Sequence, residues 1–346
     1  MKFTLALMTI CCLVIPAQIH AQGCLGGDSD EEGMQIAGFF QPEFGYQFSE
    51  DEDSHSFSLK RARVAFFGNI PYDISYYMCL EFSQFILAEN TGVLDAFISY
   101  SRLGPYAKLT LGQFKAPFSL EQNTACSGLH TIKRSGVVDY LASPQRDIGL
   151  MISGAHEDFL KYDLAFMNGT GIATKDNNTN KNIVGRLRVT PMECITLGGS
   201  YRYGTNPPVA SGVEDEDERT RYGGELELTY DDLLVQAEYI VGEDKGSYTT
   251  GGGCGGEPVE IVEGSVDRAG MFVMALYMTP WNIQPVLKYE SWDPNTDEDD
   301  DKVQITTFGF NYFLNDWTRL QFNYLYKAED VEVGNDEMLL QLQVKF

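Results

Sequence analysis

Basic residues recur two positions apart in this chain, and that spacing is the first sign of chemistry. Arg61 and Arg63, like Arg186 and Arg188, would share one face of an extended strand, because successive strand side chains alternate between faces. Arg202, Lys288, Arg319 and Lys327 sit in segments of the same alternating kind. A guanidinium offers a rigid fork of donors matched to oxyanions and keeps its charge at any relevant pH, so a ladder of them would hold and release anions by repeated weak contact. Carboxylates occupy the same faces, namely Glu81, Asp95, Asp163, Glu225, Glu227, Glu238 and Glu290. Each basic residue therefore has two readings: contact with a solute, or pairing with a carboxylate that fixes strand register.

Other chemistry is poorly supplied. Beyond the first 21 residues the histidines are His55, His130 and His156, with no Gly-x-Ser-x-Gly setting and no metal-spaced pair. Catalysis is not expected. Cys24, Cys79, Cys126, Cys194 and Cys254 follow no zinc template. Cys126 and Cys254 fall in long loops on one side, which leaves a disulfide and two separate thiols both open. Asp293, Asn295 and Asp297 open like a calcium loop, but Glu298 replaces the glycine of the sharp turn and Gln304 the closing carboxylate. No cofactor or metal is expected.

The elements that must position these residues are strands. Alternation predicts sixteen of them, at 33–48, 56–70, 73–87, 92–103, 106–115, 146–155, 159–168, 181–190, 194–204, 220–230, 232–242, 266–279, 281–292, 302–313, 316–328 and 335–346. Short turns such as Pro71-Tyr72, Asp231-Asp232 and Asn315-Asp316 alternate with longer polar loops, including Glu214 to Glu218 and Asp297 to Asp301. That alternation belongs to an up-and-down transmembrane barrel with short turns on the periplasmic side, and closure removes the exposed strand edges of so large a sheet. The predicted fold is an all-β, sixteen-stranded antiparallel transmembrane β-barrel over residues 33–346. A soluble β-sandwich would need neither two classes of turn nor aromatic residues at so many strand ends.

Both ends of the chain agree. Lys2, the apolar run Leu5 to Ile15, Pro16 and Ala21 read as an export signal over residues 1–21, followed by a flexible segment at 22–32. Cys24 does not make a lipoprotein site, since Gln22 stands where a small residue is needed. The closing segment alternates Met338, Leu340, Leu342, Val344 and Phe346 with polar neighbours, and its terminal aromatic resembles the assembly signal of bacterial outer-membrane proteins.

The stretch Leu109 to Glu121, LTLGQFKAPFSLE, with Leu94 to Tyr100 before it and Arg146 to Leu150 after it, resembles the phosphate-selective porin O and P family. Lys60 to Val64, Tyr289 to Pro294 and the run from Thr318 to Phe346 extend the resemblance over nearly the whole mature chain. It implies a homotrimer of sixteen-stranded barrels whose third outside loop folds inward and narrows the pore. Here that loop is residues 116–145, which is also the longest connection in the strand reading. Glu121, Lys133, Arg134, Asp139 and Tyr140, with Lys115 at its mouth, are the expected constriction residues. The family's phosphate specificity implies a cluster of basic residues, and this loop supplies only Lys133 and Arg134.

The resemblance and the strand pattern together predict an outer-membrane porin that passes small hydrophilic solutes and ions, with an anion or phosphate preference resting on the basic wall set. A formal charge of −25 opposes that preference at first sight. The densest acidic runs lie in outside loops, however, where charges more than a Debye length of roughly 8 Å away are largely screened. Outer-membrane lipid and lipopolysaccharide, bridged by divalent cations to the acidic loops, are the expected surroundings, and nucleic acid is not an expected partner. The alternative is a plugged, adhesive barrel whose surface loops bind a partner. Sixteen strands generally enclose a water-filled channel, which favours the porin.

Overall fold

The computed structural model describes residues 33–49, 52–83, 92–206, 217–250, 260–298, 301–329 and 334–346. The strands are β1 (Gly33–Gln47), β2 (Ser54–Ile70), β3 (Ile74–Glu81), β4 (Val93–Tyr100), β5 (Lys108–Lys115), β6 (Arg146–His156), β7 (Leu160–Met167) and β8 (Asn182–Met192). They continue as β9 (Ile195–Asn206), β10 (Asp217–Tyr230), β11 (Leu233–Thr250), β12 (Glu260–Tyr277), β13 (Ile283–Asp293), β14 (Val303–Phe313), β15 (Thr318–Glu329) and β16 (Glu337–Lys345). Each pairs antiparallel with its neighbours in sequence, and β1 pairs with β16, so the sheet closes into a barrel.

Alternation places the apolar residues as a membrane strand requires. On β7, Leu164 and Phe166 are exposed on the outer face, whereas Asp163 and Ala165 point inward. Leu111, Leu150, Leu187, Leu287, Phe308 and Leu340 continue the outer apolar band on other strands. Aromatic residues rim it on both sides. Tyr72, Tyr106, Phe159, Trp281 and Trp317 lie at or beside the short turns, and Phe57, Tyr201, Tyr222, Tyr239 and Tyr289 lie toward the long loops. Rings with a polar edge are favoured at a lipid headgroup boundary, so these two girdles mark the interfaces.

The strand expectations hold, with differences at the ends. β3 stops at Glu81 rather than at 87, because the Glu81 carboxylate turns back to accept from the Ala62 and Ser83 amides and from Arg63. β11 and β12 are each 18 residues long, well past the expected ends at 242 and 266. Their register runs unbroken from the Leu233–Tyr277 pair to the Thr250–Glu260 pair.

Much of the core is the 116–145 segment packed inside the barrel. One turn of helix, α1 (Leu120–Asn123), a 3₁₀ turn at Cys126–Gly128 and the short helix α2 (Gly136–Leu141) give it structure. Phe118, Val137, Val138, Leu141 and Ala142 of this segment bury against Ile240, Phe272, Met274 and Trp292 of the wall. Gly270 makes the close approach possible: a Cβ there would lie 2.4 Å from Val137 Cγ2.

Candidate functional site

At the end of β5 the backbone leaves the wall, and residues 116–145 cross the lumen. They are held to β1 by Gln41 Nε2 donating to the Cys126 carbonyl (3.4 Å) and to β2 by Arg63 Nη1 donating to Cys126 Sγ (2.8 Å). Asn311 Nδ2 of β14 donates to the His130 carbonyl (3.0 Å), and Asn323 Oδ1 of β15 accepts from the Ile132 amide (2.7 Å). Gln343 of β16 donates to the Ser127 carbonyl (3.2 Å). Cys126 thus stands as a buried thiol hydrogen-bonded to Arg63, and Cys254 lies outside the described residues.

Two carboxylates clasp the segment. Glu238 of β11 accepts from Ser119 Oγ (3.0 Å) and from the Leu120 and Glu121 amides at the start of α1. Glu121 in turn meets Lys288 Nζ of β13 at 2.9 Å and accepts from the Ser135 amide (2.7 Å) and hydroxyl (2.9 Å). Burial opposes ionisation of Glu121, but the Lys288 ammonium and these hydrogen bonds outweigh it and hold the carboxyl below its ordinary range. His130 has the opposite outcome: burial, aided by Arg319, lowers it to about 4, so the imidazole is neutral at physiological pH.

The expected wall residues all face inward, yet most are engaged by the protein itself. Arg63 pairs with Glu81 at 2.7 Å, Arg186 with Glu225 at 2.7 Å, Arg188 with Asp163 at 2.9 Å and Lys327 with Glu337 at 2.7 Å. Arg61 donates to Gln41 Oε1 (2.8 Å), and Arg319 to Gln343 Oε1 (3.2 Å). Arg202 braces the end of the segment by donating to the carbonyls of Ala142, Ser143 and Pro144. Of the segment's own residues, Lys133 pairs with Glu337, and Arg134 donates to the carbonyls of Glu121 and Thr124. Asp139 accepts from Gln145 Nε2, and Tyr140 stacks on Trp292 with ring centres 5.3 Å apart.

Several residues of this network escape sequence reasoning. Arg146 pairs with the fully buried Asp95 at 2.9 Å, and Asp244 joins Arg221 at 2.5 Å to Arg268 at 3.0 Å. Arg221 was open to discovery, because it keeps the inward period of Gly223 and Glu225 on β10. Arg268 lies at the start of a stretch that is apolar on both faces and has no readable register.

The anchors described so far tie residues 116–145 to β1, β2, β11, β13, β14, β15 and β16, and to β9 through Arg202. Against the β4–β8 wall a narrow crevice of about 20 Å³ remains between segment and barrel. Lys115, Arg186, Arg188 and Asp163 line it together with Phe97 and Phe114.

This architecture is matched by relatives of known type. The family model described as phosphate-selective porin O and P matches residues 34–346. The chain belongs to that family. An anion-selective porin from Comamonas acidovorans superposes with a TM-score of 0.67 at 12% identity, covering 91% of this chain and 100% of that one. The trimer form of OmpT, an outer membrane protein of Vibrio cholerae, does so with 0.65 at 11% identity, covering 92% and 100%. OmpF of Salmonella typhi, in a complex with daunomycin, gives 0.67 at 12% identity over 90% and 97%. Among curated proteins no sequence matches. This porin is therefore a protein of the bacterial outer membrane and a passive diffusion channel for small hydrophilic solutes and ions, with the fold of a channel rather than of an enzyme.

Proposed function

We propose that this porin prefers small anions and that they pass along the β4–β8 wall beside residues 116–145, which act as its constriction. The observation that carries the reading is the lining of the crevice, where Lys115, Arg186 and Arg188 gather beside Asp163, with Glu225 paired to Arg186 and the Lys115 ammonium donating to the Gln122 and Thr124 carbonyls. A low-dielectric wall concentrates the field of such a group, so counter-ions are enriched even though the whole chain is acidic. Phosphate selectivity in particular has less support. Lys133 and Arg134, the basic residues the loop supplies, are engaged by Glu337 and by loop carbonyls. The resemblance of fold to a trimeric OmpT and the family membership support a homotrimer. Residues 1–21 serve as the export signal in this reading, and the acidic outside loops meet lipopolysaccharide through divalent cations.

The test is the zero-current potential of the purified trimer in a planar bilayer under a potassium chloride gradient. Anion preference is expected in the native protein. In the double variant K115Q/R188Q it should fall roughly fivefold, the effect of about 1 kcal/mol of local potential. Cation preference in the native protein overturns the selectivity while leaving the channel. A native protein that inserts but does not conduct returns belief to a plugged, adhesive barrel.

A further inference from the structure

We infer that Glu238 is a proton-operated latch on the inward segment: ionised, it holds the turn at Ser119 against β11, and protonation releases that turn and widens the passage. This rests on the reading of residues 116–145 as the constriction and adds its regulation.

The first observation is a surplus of negative charge. Glu238 and Glu225 stand directly opposite each other in the β10–β11 register, and both are buried on the inner face. Like charges in that position repel. Arg186 of β8 serves Glu225, with Nε 3.1 Å from both carboxylate oxygens and Nη2 2.7 Å from one. Among the described residues no cation lies within ion-pair distance of Glu238. The other charged groups around it are Glu227, the next inward residue of β10, Asp163 and Arg188 on β7 and β8, Glu121 on the segment and, beyond Phe272 of β12, Lys288 of β13. Arg188 is engaged by Asp163, and Lys288 by Glu121 and Glu290. An arginine compensates one of the two opposed charges and hydrogen bonds alone support the other, so Glu238 is the one that a proton neutralises first.

The second observation is what Glu238 holds. Its Oε2 accepts from Ser119 Oγ (3.0 Å) and the Glu121 amide (3.3 Å), and its Oε1 from the Leu120 amide (3.2 Å). All three donors belong to one turn, and both oxygens act as acceptors, which is the pattern of a carboxylate and not of a carboxylic acid. Ser119 has φ 73° and ψ 140°, a backbone conformation that a residue with a Cβ rarely adopts and that persists only where its surroundings impose it. Pro117 and Asn123, on either side of this strained turn, line the crevice, and Asn123 Nδ2 donates to the Phe118 and Ser119 carbonyls. A proton taken up by Glu238 from the lumen turns one acceptor into a donor facing a donor, and it replaces charge-assisted bonds by neutral ones roughly half as strong. The turn then relaxes. Beside a crevice of about 20 Å³, a small displacement of the segment is a large change in the passage.

Single-channel conductance of the native protein is measured in a planar bilayer in steps from about pH 9 to about pH 5. Across that range Glu121, held below the ordinary carboxylate range, stays ionised and His130 stays neutral. Conductance should rise on acidification along a one-proton curve, roughly twofold overall. E238Q, which mimics the protonated side chain, should stay near the acid value at every pH. S119A, which removes one donor and no charge, should move the midpoint to higher pH by about half a unit, and E225Q, which removes the opposed charge, to lower pH by about one unit. Heat-modifiable migration on gels confirms that each variant is folded, and should E238Q fail to fold, the displaced midpoint of S119A carries the test. A native conductance that is flat across the range, or an E238Q that titrates like the native protein, overturns the latch. K115Q/R188Q separates this from the reading beneath it: an unchanged ion preference in that variant overturns the passage along the β4–β8 wall, whereas an altered preference with a flat pH response overturns the latch alone.

Discussion

Glu121 shows how a single residue can anchor the segment that crosses the lumen. It was expected to help line the constriction, and it is buried instead as one of the residues that tie the inward segment to β13, with Lys288 on one oxygen and the Ser135 amide and hydroxyl on the other. Removing one member of a buried ion pair typically costs about 3–5 kcal/mol, and here Lys288 keeps Glu290 at 3.4 Å, which places the cost at the low end. E121Q should therefore destabilise the barrel by about 3 kcal/mol in denaturant titration and raise single-channel conductance as the segment loosens. The pH dependence has a definite sign. Because the folded carboxyl titrates below its unfolded value, its stabilisation is complete above the ordinary carboxylate range and is lost as pH falls through the lower folded value. E121Q should flatten that acid limb, and an unchanged limb would mean that other carboxylates control it.

At the scale of elements, strands were legible wherever lipid imposes a period of two, and this is why the sixteen segments and the short turns emerge from sequence alone. Legibility fails where that constraint ends. From Glu243 to Thr250 the chain is polar at nearly every position, and β11 nevertheless continues through it, paired with β12. The stretch Met271 to Met278 fails for the opposite reason: it is apolar toward lipid and also inward, where Phe272, Met274 and Leu276 belong to the cluster that buries the inward segment. The candidate residues were legible as types on faces, but not their partners, since contacts such as Arg202 with the Pro144 carbonyl join positions that no local pattern connects. The ribbon also carries a prediction. At about 3.4 Å per residue each of its strands is roughly 60 Å long against an apolar band of about 25 Å, so its tip stands clear of the membrane. Excising residues 247–263 joins Gly246 to Gly264 as a two-residue turn closing the Lys245–Ser265 pair. The shortened protein should keep its heat-modifiable migration, its conductance and its stability to within about 0.5 kcal/mol. A lost barrel would show that the tip guides assembly.

For the whole molecule the decisive contact is the seam where the first strand meets the last. β1 and β16 pair from Gln47–Glu337 to Phe39–Lys345, and Phe346 adds the final rung through mutual bonds with Gly38, N to O at 3.0 and 2.9 Å. Its ring lies 5.4 Å from Phe40 on the outer face and fills the space above Gly38, where a Cβ would be 2.2 Å from the Phe346 ring. Closure joins residues separated by nearly the entire chain, so its loop entropy opposes it until the seam forms, whereas the neighbouring hairpins form locally. A contact made at closure should therefore affect the rate of barrel formation more than the strength of any single hairpin. Deleting Phe346 should slow refolding into lipid vesicles several-fold, followed by the appearance of the heat-modifiable band, while the finished barrel loses only about 1–2 kcal/mol, the worth of two terminal hydrogen bonds and one ring contact. F346L, which keeps both backbone bonds, should recover most of the stability but less of the rate if the ring itself is read during assembly. Equal recovery of rate and stability would reduce Phe346 to an ordinary rung of the ladder.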